Sequence, residues 1–215
     1  NSANYNLEGH AAEASPVVAM GALGAVPGGL GVVEGGQIPY LPAAAAKRKE
    51  NYANRMKLDP EVKCYLPGVP RATYMPYPFQ IVQGDGDLMF VYEYATSNRT
   101  VRMKNPLNPD DVLVEQWSGW SNGHWDGDTL VVETNGFRDD LWLDMIGNPL
   151  TSEAKITERI TRPNFGSLKV EMTIDDPKAY MKPWTVEIDE FLVVDTEMID
   201  EICLEGERSS QHMPK

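Results

Sequence analysis

From Phe79 onward, apolar and polar residues alternate with a period of two in short runs. In Ser167–Asp175, Leu168, Val170, Met172 and Ile174 fall on one face, and Lys169, Glu171 and Thr173 on the other. In Trp184–Val194, Trp184, Val186, Ile188 and Leu192 share a face opposite Glu187 and Asp189. One dry face and one wet face mark a sheet packed on one side. Similar runs cover Phe79–Gln83, Leu88–Ala95, Asn98–Lys104, Val112–Trp117, Trp120–Trp125, Thr129–Thr134, Glu153–Arg162 and Glu197–Leu204. Gly84-Asp-Gly-Asp87 reads as a turn, and Asp126-Gly127 as a tight hairpin connection. The one helical interruption is Phe137–Met145, where Phe137, Leu141, Trp142 and Met145 recur at helical spacing and predict a short lid. Short strands joined by turn residues exclude a parallel α/β sheet. The expected fold class is all-β: an antiparallel meander closed into a lipocalin-like barrel, with a β-sandwich as the alternative.

The front of the chain has a different character. Residues 1–46 contain no Lys or Arg and are dominated by Gly, Ala, Val and Pro without periodicity. A helix is predicted over Lys47–Leu58, stopped by Asp59-Pro60. Pro67, Pro70, Pro76 and Pro78 then make a stiff connector. The chain thus divides into an arm (1–46), a helix and connector (47–78), the β domain (79–207) and a tail (208–215). Ordering Gly and Ala costs much backbone entropy for little buried side chain. The arm's sizeable anchors are Leu23, Val26, Leu30, Val32, Val33 and Ile38. They are expected to form an interface with a second copy or another protein subunit. An arm wrapped around its own domain is the alternative.

Charge narrows the partners. The 19 basic and 32 acidic residues leave a net charge of −13, which argues against binding nucleic acid. No run of apolar residues is long enough to predict a membrane span. Cys64 and Cys203 are either two separate buried thiols or a disulfide joining the start of the β domain to its last strand. A bridge implies an oxidising compartment. The first residue is Asn rather than Met, which fits cleavage of a signal peptide or a trimmed chain. A periplasmic or extracellular location is the expectation.

A series of motifs occurs in order: Cys64-Tyr-Leu-Pro-Gly-Val-Pro-Arg71, Pro78-Phe-Gln-Ile-Val-Gln83, Trp125-Asp-Gly-Asp-Thr-Leu-Val-Val-Glu-Thr134, Gly136-Phe137, Trp142-Leu-Asp144, Thr157-Glu-Arg159 and Asp175-Asp-Pro-Lys-Ala-Tyr-Met-Lys-Pro-Trp184. In these, residues 60–207 resemble a large group of mostly exported bacterial proteins with no established activity. The resemblance implies export and carries no chemistry. That group often has a His-containing stretch where this chain reads Gly147-Asn-Pro-Leu-Thr-Ser152.

Among individual residues, Glu158 shares strand parity with Ala154, Ile156 and Ile160 and should point inward. A buried carboxylate either pairs with an inward cation, here Arg99 or Arg102, or has its pKa raised as an acid–base catalyst needs. Glu93 and Glu190 show the same placement more weakly. His124 beside the hairpin and Asp139 are the other acid–base candidates; Asp139, Asp140 and Asp144 on the predicted lid helix could together meet a substrate or a cation at the barrel mouth. A packed or solvated role is the alternative for each. Trp142, Asp144, Tyr92, Trp184 and Arg102 are the candidate ligand-binding residues. Indoles, including Trp117, Trp120 and Trp125, can stack on a flat ligand, although core filling is their commoner use. Gly84-Asp-Gly-Asp87 lacks the ligand spacing of a calcium loop. No nucleophile elbow, phosphate loop, dinucleotide fingerprint or zinc pair is present, so neither cofactor nor metal is implied. Three functions fit: binding an apolar or aromatic small molecule; cofactor-independent lyase, isomerase or hydrolase chemistry by Glu158 with His124 or Asp139; and an accessory subunit joined through its arm.

Overall fold

A computed structural model describes residues 32–75, 77–108, 111 and 114–203. Leu23, Val26 and Leu30 of the arm, and the tail 208–215, lie outside the described residues.

The chain begins with strand β1 (Val32–Val33) and then helix α1 (Pro42–Ala53). This helix starts ahead of the predicted Lys47 because Pro42 sits in its first turn, where a missing N–H costs nothing, and the alanines that follow are strong helix formers. A second helical turn, α2 (Arg55–Leu58), ends before Asp59, whose carboxylate accepts the Glu61 N–H at 3.0 Å and opens a 3₁₀ turn over Pro60–Lys63. The Pro-rich connector contains a further turn of helix, α3 (Arg71–Tyr74).

Among the described residues, nine of the eleven strands form one sheet. After β1 come β2 (Phe79–Gln83), β3 (Asp87–Tyr92), β4 (Asn98–Arg102), β5 (Trp120–Asp126), β6 (Thr129–Asn135), β9 (Lys155–Asn164), β10 (Ser167–Asp175) and β11 (Trp184–Phe191). A small separate sheet pairs β7 (Leu141–Trp142) with β8 (Pro149–Leu150). The order across the large sheet is β1-β11-β10-β9-β6-β5-β4-β3-β2. It curls as a half-barrel, so the fold is all-β and barrel-like. Among the described residues the edge strands β1 and β2 do not pair with each other. Every neighbouring pair is antiparallel except β4 with β5, which run parallel and meet only at Val101–Ser121 and Arg102–Asn122.

Strand parity decides what fills the curl. Leu88, Phe90, Val101, Leu130, Val132, Ile156, Val170, Met172, Ile174, Val186 and Ile188 are all buried. The predicted inner faces of β10 and of β11 as far as Ile188 are those observed, but Leu192 lies beyond β11 and is exposed. The inner face is thus occupied by the protein's own side chains.

Three predicted elements differ. Phe137–Met145 is not a helix: Leu141 and Trp142 form β7, and the Asp144 carboxylate accepts the N–H groups of Ile146 and Asn148 and the Asn148 side chain at 2.6 Å, building the turn to β8. Residues 192–201 contain no strand. Glu93 instead accepts the Ile199 N–H at 3.0 Å, and Thr96 donates to the Glu201 carbonyl at 2.7 Å. In the predicted strand Val112–Trp117, the described residues 114–117 contribute only an isolated bridge, Gln116 to Phe137.

The described part of the arm docks on its own domain. Val33 pairs with Val186, and the Leu41 N–H donates to Ala179 at 2.9 Å. Val33 and Ile38 are buried in this chain's core, so these two expected interface anchors are turned inward; Val32 is paired with Glu187 of β11. Cys64 and Cys203 form a disulfide with Cα atoms 5.5 Å apart, closing a span of 139 residues.

Candidate functional site at the parallel seam

Where β4 and β5 meet, only two residue pairs are in register, and the segment leading into β5 diverges from the start of β4. A cleft of 590 Å³ opens there, lined by Asn98, Arg99, Thr100 and Arg102 of β4 and by the Glu115–Trp120 segment, with Leu66, Asp87 and Arg138 at its rim. Gly119 is a requirement of this geometry. It has φ +61°, and a Cβ there would lie 2.6 Å from the Asn135 carbonyl oxygen, so glycine alone lets the loop turn into β5 so close to β6.

Two half-buried indoles face the cleft, each with a guanidinium over it. Arg138 lies 4.7 Å from the Trp117 ring centre and Arg102 5.8 Å from that of Trp120. The other neighbours of Trp117 include Tyr65, at 5.1 Å between ring centres, and the Trp120 Nε1–H donates to the Val114 carbonyl at 2.8 Å. The indoles are therefore oriented without a ligand. Arg138 is also held by Asp140 at 3.0 Å. Asp87 and Glu115 line the same cleft, so its charge is mixed rather than strongly basic.

Beneath it, Arg99 passes from the cleft into the core. It donates to Glu158 twice, at 2.6 and 2.9 Å, and lies 4.5 Å from the centre of the Phe90 ring. Glu158 is fully buried and Arg99 nearly so. The inward carboxylate read from strand parity is thus one half of a bidentate ion pair across the curl, from β9 to β4. Its partner is one of the two arginines anticipated.

The three acid–base candidates are not brought together. Cross-strand register places His124 opposite Val131, which is itself opposite Arg159, so the exposed His124 shares a face with Arg159 one strand further on, whereas Glu158 lies opposite Val132 on the other, buried face. Asp139 is exposed and accepts the Ser152 N–H at 2.7 Å, which lowers its pKa. Of the candidate ligand-binding residues, Arg102 reaches the cleft. Tyr92, Trp142, Asp144 and Trp184 are core residues: Tyr92 shares a hydrogen bond with Thr73 at 3.1 Å, and Trp184 packs edge-on against Tyr180. Burial raises the Asp144 pKa despite its three N–H donors. Arg138 escaped the sequence reading because it lies outside the strands, in a segment without period.

A second polar cluster was also missed. Arg71, 1% exposed, donates to both oxygens of Asp59 at 2.9 Å and to Glu61 at 2.8 Å, and the Tyr94 hydroxyl donates to Glu61 as well. Burial outweighs these partners and pushes the Glu61 pKa up to about 7. Glu190, on the inward parity of β11, is pushed up to about 8 by burial and by neighbouring Asp189. No group of three or more His, Cys, Asp or Glu residues among the described residues is placed to hold a metal ion, and no helix among them is long and apolar enough to cross a membrane. Compared with protein-family models, curated proteins and solved structures, the chain matches none.

Proposed function

We propose that the protein is an exported small-molecule-binding protein whose site is the cleft at the β4–β5 seam. Its ligand class is a flat aromatic molecule with a hydrogen-bond-accepting edge. The observation that carries this reading is the pair of pre-oriented indoles, Trp117 and Trp120, each beside a guanidinium in one 590 Å³ cleft. The planar indole and guanidinium surfaces that line the cleft offer a flat ring both apolar contact and donors at its edge. The carboxylates of Asp87 and Glu115 disfavour a multiply charged anion. Export rests on the Cys64–Cys203 disulfide, which persists in oxidising compartments. The binding reading is preferred to the enzyme reading because Glu158 is committed to Arg99 and His124 lies on the opposite face of the sheet.

Screening aromatic monocarboxylates and phenolic ketones by tryptophan fluorescence tests the proposal. The expected result is saturable quenching by at least one class with Kd below about 100 µM, an affinity that a site of this size supports. Quenching should disappear in Trp117→Leu/Trp120→Leu and weaken in Arg102→Gln. Absence of saturable quenching, or its persistence in the double variant, overturns the assignment.

A further inference from the structure

The chain is acidic overall, yet one surface element has the opposite character. Between Lys47 and Lys63 lie six of its 19 basic residues. The acids of the same stretch do not cancel them. Asp59 and Glu61 turn inward to Arg71, and Glu50 is paired with Lys47 at 3.1 Å. Lys49, Arg55, Lys57 and Lys63 remain on the exposed surface.

Apolar side chains are exposed among them. All seven residues from Tyr52 to Leu58 are exposed, and α2 buries none of its side chains. Tyr52 is 50% exposed, Met56 56% and Val62 40%. The opposite side of α1 is fixed to the domain, with Ala44 and Asn51 buried and the Asn51 amide donating to the Gly147 carbonyl at 2.9 Å. The knuckle from Tyr52 to Lys63 therefore projects from a rigid base.

We infer that this knuckle docks on an anionic lipid surface, Met56, Leu58 and Val62 entering the headgroup boundary and its three cations, Arg55, Lys57 and Lys63, lying at phosphate level with Lys49 beside them. Interspersed apolar tips and basic side chains are what an interfacial segment presents to such a surface. A protein interface fits less well, because interface cores are depleted in Lys, and here Lys57 lies between Met56 and Leu58. Long basic side chains can extend to the phosphates while their stems cover apolar surface.

Flotation of the full chain with vesicles of equal parts phosphatidylcholine and phosphatidylglycerol, against pure phosphatidylcholine, tests the inference. Binding is expected to the anionic vesicles only, weakening as salt is raised. Lys57→Glu/Lys63→Glu should lower the partition coefficient on the order of tenfold or more, and Met56→Ser/Leu58→Ser by roughly tenfold, since both charge and apolar area contribute. Both pairs are exposed, and unchanged circular dichroism would establish that they fold. No flotation at low salt overturns the inference, as does equal flotation of the variants. Binding to polyglutamate but not to vesicles would assign the face to an acidic protein. A concentration-dependent dimer abolished by the same variants, without lipid binding, would assign it to a second copy. Either result overturns the lipid reading.

Discussion

Among the described residues two arginines are buried, and they are buried differently. Arg99 lies within the sheet, balanced one to one by Glu158 from a strand across the curl. Arg71 lies among loops and serves two carboxylates, Asp59 and Glu61, with Tyr94 sharing the second. The first pair is closed, its two charges satisfying each other. The second sets two carboxylates on one cation, and burial, with a smaller push from Asp59, raises the Glu61 pKa to about 7. A buried ion pair held by regular strands is a strut. One assembled from loops also keeps a group responsive to pH.

Removing the cations should separate the two most clearly. Arg71→Met leaves two acids without their shared cation, and Arg99→Met leaves one. Each is expected to lose about 3–5 kcal/mol in urea unfolding, with Arg71→Met the more damaging at pH 8. Because Glu61 can be neutralised by protonation, the gap should narrow at pH 5. The apolar double variant Arg99→Met/Glu158→Leu should recover much of its loss, since hydrophobic replacement of a complete buried pair is often tolerated. If Arg99→Met proves as mild as a surface substitution, the strut description fails.

The disulfide's immediate neighbours belong to one region. Cys203 is tied to Cys64, close in sequence to Glu61, and Thr96 and Ala95 hold the neighbouring Glu201. Cys64→Ser/Cys203→Ser should cost about 2–4 kcal/mol, below the roughly 5 kcal/mol that chain entropy alone assigns to so long a loop. Hydrogen exchange should accelerate around Tyr94 and Arg71 while β4 and β9 keep their protection. Equal acceleration in both places would mean that the bridge holds the whole sheet.

The smallest effect is the pH response. With a folded pKa of about 7 against an ordinary 4.5, Glu61 binds its proton more tightly in the native state than in the unfolded chain. Its contribution to stability therefore falls as pH rises from 4.5 towards 7 and levels off above that. Glu61→Gln should flatten this slope and be worth roughly 1–3 kcal/mol at pH 8 relative to pH 4. Glu190, raised to about 8, acts with the same sign over a wider range, so Glu190→Gln in parallel distinguishes the two.

The same contrast explains what was legible in the sequence. Glu158 could be placed inside because Ile156 and Ile160 flank it at a period of two, and Arg99 was among its anticipated partners. Arg71, Arg138 and Trp117 sit outside regular strands, where no period reports direction. Phe137–Met145 was misread for a related reason. Consecutive Leu141, Trp142 and Leu143 are all buried, so alternation is lost and the remaining spacing imitates a helix. In Glu197–Leu204 the apolar positions suggested a strand, yet Ile199 is 70% exposed and the backbone bonds to side chains of the 93–96 turn rather than to a sheet. The cleft was partly legible through Arg102 and the tryptophans. Its location depends on one parallel contact that composition cannot reveal.

That contact has a consequence for how the molecule comes apart. Among the described residues, strands β2 to β4 form one antiparallel leaf and β5, β6, β9, β10, β11 and β1 the other; two register pairs are the strand-to-strand join between them, with the Arg99–Glu158 side chains crossing it. Parallel pairing demands a long excursion of chain and returns slightly less per residue than antiparallel pairing. The leaves are thus positioned to form as separate folding units and to part first along this line when pulled or heated. Cys64 precedes the first leaf and Cys203 follows the second. The covalent bond therefore lies in parallel with this join, limiting how far the leaves can separate and favouring their return to the same alignment.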